Sequence, residues 1–184
     1  MKPSLTKKNT KNVVTIQLAD VSLEGILGIP EGAEGLVLFA HGSGSSRLSP
    51  RNNYVADVLR QAGIGTFLFD LLTEREDRDY STRFNIPLLT ERLAGTTRWL
   101  IAELSPKHFS IGYFGASTGA AAALEAAATL PGEVKAIVSR GGRPDMALQF
   151  LPSVKAPTLL IVGEKDFQVI ELNRIAYDRL TGTK

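Results

Sequence analysis

The sequence predicts one domain of the α/β class, in which a mostly parallel, doubly wound sheet follows an antiparallel N-terminal hairpin. Near-continuous apolar runs, such as residues 35–40, suit strands that are buried on both faces of a parallel sheet. These runs alternate with segments of helical periodicity. The 184 residues, of which 43% are hydrophobic, can form one substantial core and are too few to expect two.

The predicted sheet begins with a hairpin, because residues 13–18 and 21–29 both alternate in polarity and are rich in β-branched side chains. The first parallel strand follows. A helix is then predicted from Pro50, with Ser49 as its N-cap, to about Gly63.

The rest of the chain repeats this alternation of strands and helices. The further predicted strands are residues 64–70, 109–115, 134–139 and 158–162. The further predicted helices are residues 86–104, 118–130, a short piece at 145–150, and 169–180. A polar loop is predicted at 73–81. Such alternation predicts right-handed crossovers and therefore parallel strands.

Charge and composition exclude several classes of protein. Four lysines lie among residues 1–12, which we expect to be a disordered basic tail, and the other 17 basic and 19 acidic side chains give residues 13–184 a net charge of −2. This balance does not favour nucleic acid as a partner. The apolar runs are far shorter than the ~20 residues that cross a membrane. No secretory signal is recognisable.

The chain has no cysteine and two histidines. Disulfides, a cysteine nucleophile, thiolate metal sites and a histidine-rich metal cage are thereby excluded. We expect no metal and no cofactor, and the cytoplasm as the compartment.

The motif Gly115-Ala-Ser117-Thr-Gly119 fits the G-x-S-x-G pattern of a nucleophile elbow. A strand is predicted before it and an alanine-rich helix after it, which is the context that the pattern requires. Small residues are needed two positions on either side of the serine, because larger side chains would collide at so sharp a turn. Ser117 is thus the candidate nucleophile, and the alternative is a glycine-rich turn with a bystander serine.

A second glycine-rich segment, residues 39–46, follows the first buried strand. A loop in this place supplies one backbone N–H of an oxyanion hole, and the residue after the nucleophile supplies the other. Ser43 and Thr118 are therefore the candidate hole residues. A phosphate-binding loop is the alternative, but neither of the usual phosphate-loop spacings is present. His41 and Gly42 are candidate substrate contacts, although local hydrogen bonds that shape the loop are favoured for His41.

The candidate acid is Asp166, which follows the predicted strand 158–162 and precedes a helix. An acid after the nucleophile, on a loop past a strand's carboxyl end, has the position that a Ser–Asp–His triad needs. Helix capping is the alternative, and Glu164 is the local substitute. No histidine follows Asp166. His108 should lie at the opposite edge of the sheet, in a solvated turn, so the catalytic histidine is missing from this sequence.

One further segment could contact a substrate, and another is expected to lie at the surface. Arg140 and Arg143 follow the predicted strand 134–139, where arginine could bind a substrate carboxylate or pair with Asp145 instead. The charged segment 74–79 is expected to form a solvated cap or lid.

In four segments the chain resembles the dienelactone-hydrolase-like family of α/β-hydrolases. These segments are residues 40–46, 112–119, 139–145 and 160–166. The resemblance extends over nearly everything from the first hairpin onward. It implies an α/β-hydrolase fold and cofactor-free hydrolysis of a carboxylic ester, lactone or related acyl compound. It also implies Ser117 as nucleophile, Asp166 as acid, and an oxyanion hole at Ser43 and Thr118.

The sequence departs from the family pattern in ways that bear on activity. Dienelactone hydrolases use a cysteine nucleophile and a glutamate after the third strand, where this chain has Ser117 and His41-Gly42. The family name therefore does not fix the substrate. Members also continue through a last strand, a histidine loop and a final helix, so residues 13–184 are expected to be one domain that is incomplete at its C-terminus.

We therefore expect a cytoplasmic serine hydrolase that is weak or inactive as these 184 residues, since losing a triad member costs several orders of magnitude in rate. A truncated form of an active enzyme is the favoured explanation. The alternatives are a non-catalytic binding or assembly module and an acyltransferase with the same elbow. An exposed edge at residues 158–162 could also pair with a second copy of the chain.

Overall fold

The computed structural model describes residues 11–104 and 109–184, which are organised around a seven-stranded sheet. The strands are β1 Asn12–Gln17, β2 Ser22–Gly28, β3 Gly35–Ala40, β4 Gly65–Phe69, β5 Ser110–Ala116, β6 Val134–Arg140 and β7 Thr158–Ile161. The helices are α1 Pro50–Gln61, α2 Glu74–Asp77, α3 Ile86–Leu104, α4 Thr118–Thr129 and α5 Phe167–Arg179. Short 3₁₀ helices occupy Tyr80–Phe84, Pro144–Ala147 and Leu151–Ser153.

The strand order is β1-β2-β4-β3-β5-β6-β7. β1 pairs antiparallel with β2, and β2 pairs antiparallel with β4. From β4 onward, every neighbouring pair is parallel. The predicted fold class is confirmed, including the N-terminal hairpin. Because the parallel strands share one direction, the loops after β3, β5, β6 and β7 meet at one edge of the sheet.

Both faces of the central strands are buried. Leu38 of β3 and Phe67 of β4 are in the main core, whereas Phe39 and Leu68 belong to a second cluster that includes Ala56 of α1. Successive side chains of a strand point to opposite faces, so the two clusters lie on either side of the sheet. This arrangement explains why the central strands appear in the sequence as unbroken apolar runs.

The predicted loop at 73–81 is wrong, because this segment contains α2 and the start of a 3₁₀ helix. The Thr73 side chain accepts a hydrogen bond from the Glu76 amide, and the Glu76 carboxylate accepts one from the Thr73 amide. This reciprocal capping box satisfies backbone donors that otherwise have no partner at a helix start. The high charge of the segment obscured the Thr-x-x-Glu signal.

The N-terminal strand includes Asn12, which the sequence analysis assigned to the tail. Lys11 forms an ion pair with Asp57 of α1 at 3.1 Å. The rest of the expected basic tail, residues 1–10, lies outside the described residues, as does the turn at 105–108 with His108. Among the residues that the structure describes, no helix is long and apolar enough to cross a membrane.

Candidate active site

Ser117 occupies a strained backbone position between β5 and α4. Its φ is 51° and its ψ is −125°, and it is the one non-glycine residue with a positive φ in the described part of the chain. A side chain in this region of backbone space costs of order 1–3 kcal/mol and persists only where the surroundings enforce it. The side chain is partly exposed. The hydroxyl therefore projects from a sharp bend at the carboxyl end of a buried strand.

Tight backbone packing around this bend explains its glycines. A Cβ added at Gly115 would lie 2.5 Å from the Cα of Ala120, and one at Gly119 would overlap the carbonyl oxygen of Ala40. Both neighbouring atoms belong to the backbone, so neither can move aside without distorting a helix or a strand. The close fit presses the start of α4 against β3, as the elbow motif predicts.

The loop after β3 lies directly against the serine. A Cβ at Gly42 would be 2.8 Å from the Cβ of Ser117 and 3.6 Å from its Oγ. Gly42, Ser43 and Thr118 line one small cavity of about 10 Å³. The structure thus brings both candidate hole residues to one cavity, which is also lined by Gly42, the residue that contacts Ser117.

His41 is a structural part of this loop in its present geometry. Its ring is buried, with Nδ1 3.0 Å from the Gly42 carbonyl oxygen and Nε2 accepting a hydrogen bond from the Leu71 amide at 3.1 Å. Nδ1 must therefore carry the proton, and the ring is neutral. Burial lowers the pKa of His41, against the opposing effects of the Gly42 carbonyl and nearby carboxylates. With both nitrogens occupied, His41 ties the loop after β3 to the end of β4.

An ion cluster that sequence reasoning missed anchors the same loop. The Arg47 amide donates to Asp70 at 2.7 Å, and the Arg47 guanidinium pairs with Asp70 and Glu24. Asp70 follows β4, and its amide donates to the Glu24 carbonyl at 3.0 Å. These residues are distant in sequence, so local spacing gives no signal that they meet.

A larger cavity of about 190 Å³ adjoins the small one. Its lining consists of His41, Ser45, Ser46, Arg47, Asp70, Leu72, Glu74 and Asp77. The two cavities share His41, Leu72 and Asp77. The segment expected to form a cap or lid thus contributes walls to both.

Arg83, from the 3₁₀ helix Tyr80–Phe84, also lines the small cavity and was missed by sequence reasoning. Its Nε and Nη2 donate to Asp77, whereas its Nη1 faces Gly44, 3.4 Å from the position of an added Cβ. Asp77 therefore holds a guanidinium at the edge of the candidate oxyanion hole.

Asp166 lies on the expected loop after β7, where its exposed carboxylate accepts a hydrogen bond from the Val169 amide at 3.4 Å. This is the capping geometry of the alternative interpretation. No hydrogen bond joins Asp166 to Ser117 or His41 within the described residues. The structure therefore gives Asp166 a structural contact and leaves its catalytic role a prediction.

The two arginines after β6 differ in their partners. Arg143 makes two hydrogen bonds of 2.8 Å to the carboxylate of Asp145, the structural alternative considered above. Arg140 donates to the Asn52 amide oxygen at 3.3 Å and has no carboxylate partner among residues 11–104 and 109–184. Arg140 is paired in register with Ala116, so its backbone lies on the strand next to the bend at Ser117.

The fold and the bend together define the class of protein as an α/β-hydrolase. In structural comparison, the chain matches a dienelactone hydrolase from Anabaena variabilis with a TM-score of 0.92 and 54% identity, over 97% of this chain and 84% of that one. The chain belongs to the dienelactone-hydrolase-like family, and the predicted resemblance is confirmed.

More distant structures show the same fold. An esterase from Pyrococcus furiosus aligns with a TM-score of 0.74 and 22% identity, over 95% of this chain and 83% of that one. A serine hydrolase homologue from Coxiella burnetii aligns with a TM-score of 0.76 and 18% identity, over 98% of this chain and 88% of that one.

Among curated sequences, two Mycobacterium tuberculosis proteins provisionally named as phosphoribosyl transferases are 53% identical over 169 residues. The match includes 92% of this chain and 38% of each relative, so the chain spans well under half the length of these proteins. No family model matches the chain.

Proposed function

We propose that this protein is a serine hydrolase that cleaves a carboxylic ester, lactone or related acyl substrate. The observation that carries the proposal is the strained Ser117, whose side chain lies against Gly42, a residue that lines a small cavity together with Ser43 and Thr118. Enforced strain at a solvent-reachable hydroxyl is typical of a reacting group. The family relationship supports the same chemistry, and the cytoplasm stays the proposed compartment.

In the proposed reaction, the Ser117 Oγ attacks the acyl carbon while its proton passes to a base. The carbonyl electron pair moves onto oxygen, which the Ser43 and Thr118 amides stabilise by hydrogen bonds. Expulsion of the leaving group forms an acyl-enzyme, and water then releases the acid. Neither the Ser43 nor the Thr118 amide is a donor in the turn, loop and cap hydrogen bonds of the described residues, so both are proposed to be available to an oxyanion.

The proposed base is a histidine from outside the described residues, because His41 is the one histidine among them and both of its ring nitrogens are occupied. We propose a polypeptide segment that runs along the free side of β7 and brings a histidine toward Asp166. Two observations support this route: the Thr158 amide already donates to the Thr183 carbonyl at 2.9 Å on that side, and Leu159 and Ile161 are exposed.

Arg140 is the proposed contact for a negatively charged part of the substrate, because no carboxylate neutralises it within the described residues. Arg143 can take this role only if its pair with Asp145 opens. In the proposed complex, the acyl group of the substrate lies against Gly42 and His41.

Labelling with a fluorophosphonate, followed by intact mass measurement, tests this proposal. The 184-residue polypeptide, a polypeptide that continues beyond Lys184 and the Ser117→Ala variant of each would be compared. The longer polypeptide should gain one label at Ser117, and the 184-residue form should react far more slowly. Ser110→Ala, an exposed serine at the other end of β5, is the matched control and should label normally.

Failure of the longer polypeptide to label, or equal labelling of its Ser117→Ala variant, would refute the hydrolase mechanism. A stable protein that binds but never labels would favour the non-catalytic module. Transfer of the acyl group to an alcohol in preference to water would favour the acyltransferase.

A further inference from the structure

The side chain of Thr118 is distinct from the backbone amide that the proposed mechanism uses. Thr118 is 2% exposed, and its Oγ1 is buried without a hydrogen-bond partner in the described residues. A buried hydroxyl that lacks a partner destabilises the fold by about 1–3 kcal/mol, so most such groups are paired. The structure therefore holds a free hydroxyl, at a cost, immediately after the nucleophile.

The location of this hydroxyl indicates what it could bind. Side-chain atoms without partners also occur at Thr90, Arg92, Thr96, Ser139 and Asn173. Of these residues, only Thr118 lines the cavity formed with Gly42, Ser43 and Gly44. The cavity volume of about 10 Å³ is at the lower limit for one water-sized occupant. The cavity therefore has room for no more than one small group, such as a substrate oxygen.

We propose that the Thr118 hydroxyl donates a third hydrogen bond to the substrate oxygen as negative charge develops on it. The inference rests on the proposed serine-hydrolase function and assigns Thr118 a catalytic side chain in addition to its amide. The bond from Ser117 Oγ to the acyl carbon forms, the carbonyl electron pair moves to oxygen, and the serine proton goes to the base. Thr118 keeps its own proton throughout.

A threonine suits this role for two physical reasons. Its hydroxyl can rotate to present its proton and competes with no backbone group at this position, since no hydrogen bond to a carbonyl of the described residues occupies it. In addition, a donor that is already desolvated needs no reorganisation when charge appears, which makes it more effective than a water molecule.

Acylation of Ser117 by p-nitrophenyl acetate tests the proposal, because this ester has a good leaving group and acetyl-enzyme can be followed by intact mass. The parent, Thr118→Val and Thr118→Ser would be compared in a polypeptide that continues beyond Lys184. Removing one donor of an oxyanion hole lowers rates by roughly 10²–10³-fold, and we expect at least a 10-fold loss in Thr118→Val because two amides remain. Thr118→Ser should recover most of the rate.

Thr96→Val is the matched control, because it also removes a buried, unpartnered hydroxyl but lies on α3 outside the cavity. It should acylate at the parental rate. Thermal melting of each variant identifies any loss caused by unfolding, and Thr118→Ser decides the matter if Thr118→Val is unstable. The proposal is overturned if a folded Thr118→Val variant acylates at the parental rate, or if Thr118→Ser acylates as slowly as Thr118→Val. A parent without Ser117-dependent acylation instead refutes the proposed function, and this inference with it.

Discussion

At the scale of single residues, the candidate site depends on atoms that come close only because side chains are absent. Gly42, Gly115 and Gly119 each bring backbone from one element within contact distance of another. The sequence motif anticipates two of these glycines, since the turn around Ser117 requires them. The role of Gly42 becomes visible only in three dimensions, because the atoms it approaches are 75 residues further along the chain.

Gly119→Ala should destabilise the protein strongly. The added methyl group would overlap the carbonyl oxygens of Ala40 and His41, which are backbone atoms at the end of β3. Overpacking at such a site costs roughly 1–3 kcal/mol, which urea unfolding would detect as a lower midpoint. Gly163→Ala is the control, because nothing lies within 4 Å of its added Cβ. Equal midpoints for the two variants would contradict the packing argument.

The neutral state of His41 predicts a pH dependence of stability. Burial lowers the pKa of His41 in the folded protein below its usual value of 6.5. The unfolded chain therefore binds more protons as the pH falls below about 6.5, and the free energy of unfolding decreases in that direction. The contribution is complete above this pH and is lost as the pH falls toward the lowered pKa.

Urea unfolding between pH 7.5 and 5.5 would measure this effect, with His41→Gln as the comparison. We expect the parent to lose stability on acidification and His41→Gln to show a smaller slope, whatever its absolute stability. Parallel slopes would mean that His41 is not held neutral by its contacts with Gly42 and Leu71.

At the scale of elements, α2 depends on contacts outside its own four residues. The buried Arg92 of α3 pairs with Glu76 at 3.1 Å and with Asp20 at 2.7 Å. Burial acts to raise the pKa of Glu76, but hydrogen bonds from Thr73 and Arg92 outweigh it, and the net pKa is lowered. One carboxylate thus caps the helix and fastens it to the body of the protein.

Glu76→Gln should release α2 while leaving the sheet intact. The substitution keeps some capping ability but removes the charge that pairs with Arg92, so the local opening free energy should fall by about 0.5–2 kcal/mol. Hydrogen exchange followed by mass spectrometry would show faster exchange in residues 73–84, with little change in β5. Glu74→Gln, an exposed residue of the same helix, should exchange like the parent. If residues 73–84 exchanged at the same rate in Glu76→Gln, Glu74→Gln and the parent, the prediction would be contradicted.

At the scale of the whole molecule, local sequence patterns predicted the strands and helices. The ion pairs and cavity walls depend instead on residues that are far apart in the sequence. The bounds of β3 and α3 agree with the prediction because apolar periodicity and strand length are local properties. The pairs Arg47–Asp70 and Arg92–Asp20 join residues 23 and 72 positions apart, and no spacing rule relates them. The candidate nucleophile could therefore be found from sequence, whereas most of the walls of its cavities could not.

The position of β7 at the edge of the sheet leads to a prediction for the 184-residue polypeptide. Leu159 and Ile161 are 55% and 44% exposed, and β6 is the one strand that pairs with β7 among the described residues. Because an apolar edge strand is a template for another chain, we propose that two copies associate there when no further segment covers it. Sedimentation velocity at increasing concentration should reveal this dimer.

Replacing Leu159 and Ile161 together by lysine should abolish the association, since a charge on an edge strand opposes pairing. Tyr54→Lys is the control, because Tyr54 is 72% exposed on α1 and away from β7; it should dimerise like the parent. A monomeric parent at every concentration, or a lysine variant that still associates, would show that this face is not an interface. If the 184-residue form dimerises and a polypeptide that continues beyond Lys184 stays monomeric, the result would support the proposed route of a further segment along β7, because intramolecular pairing would then occupy the same edge.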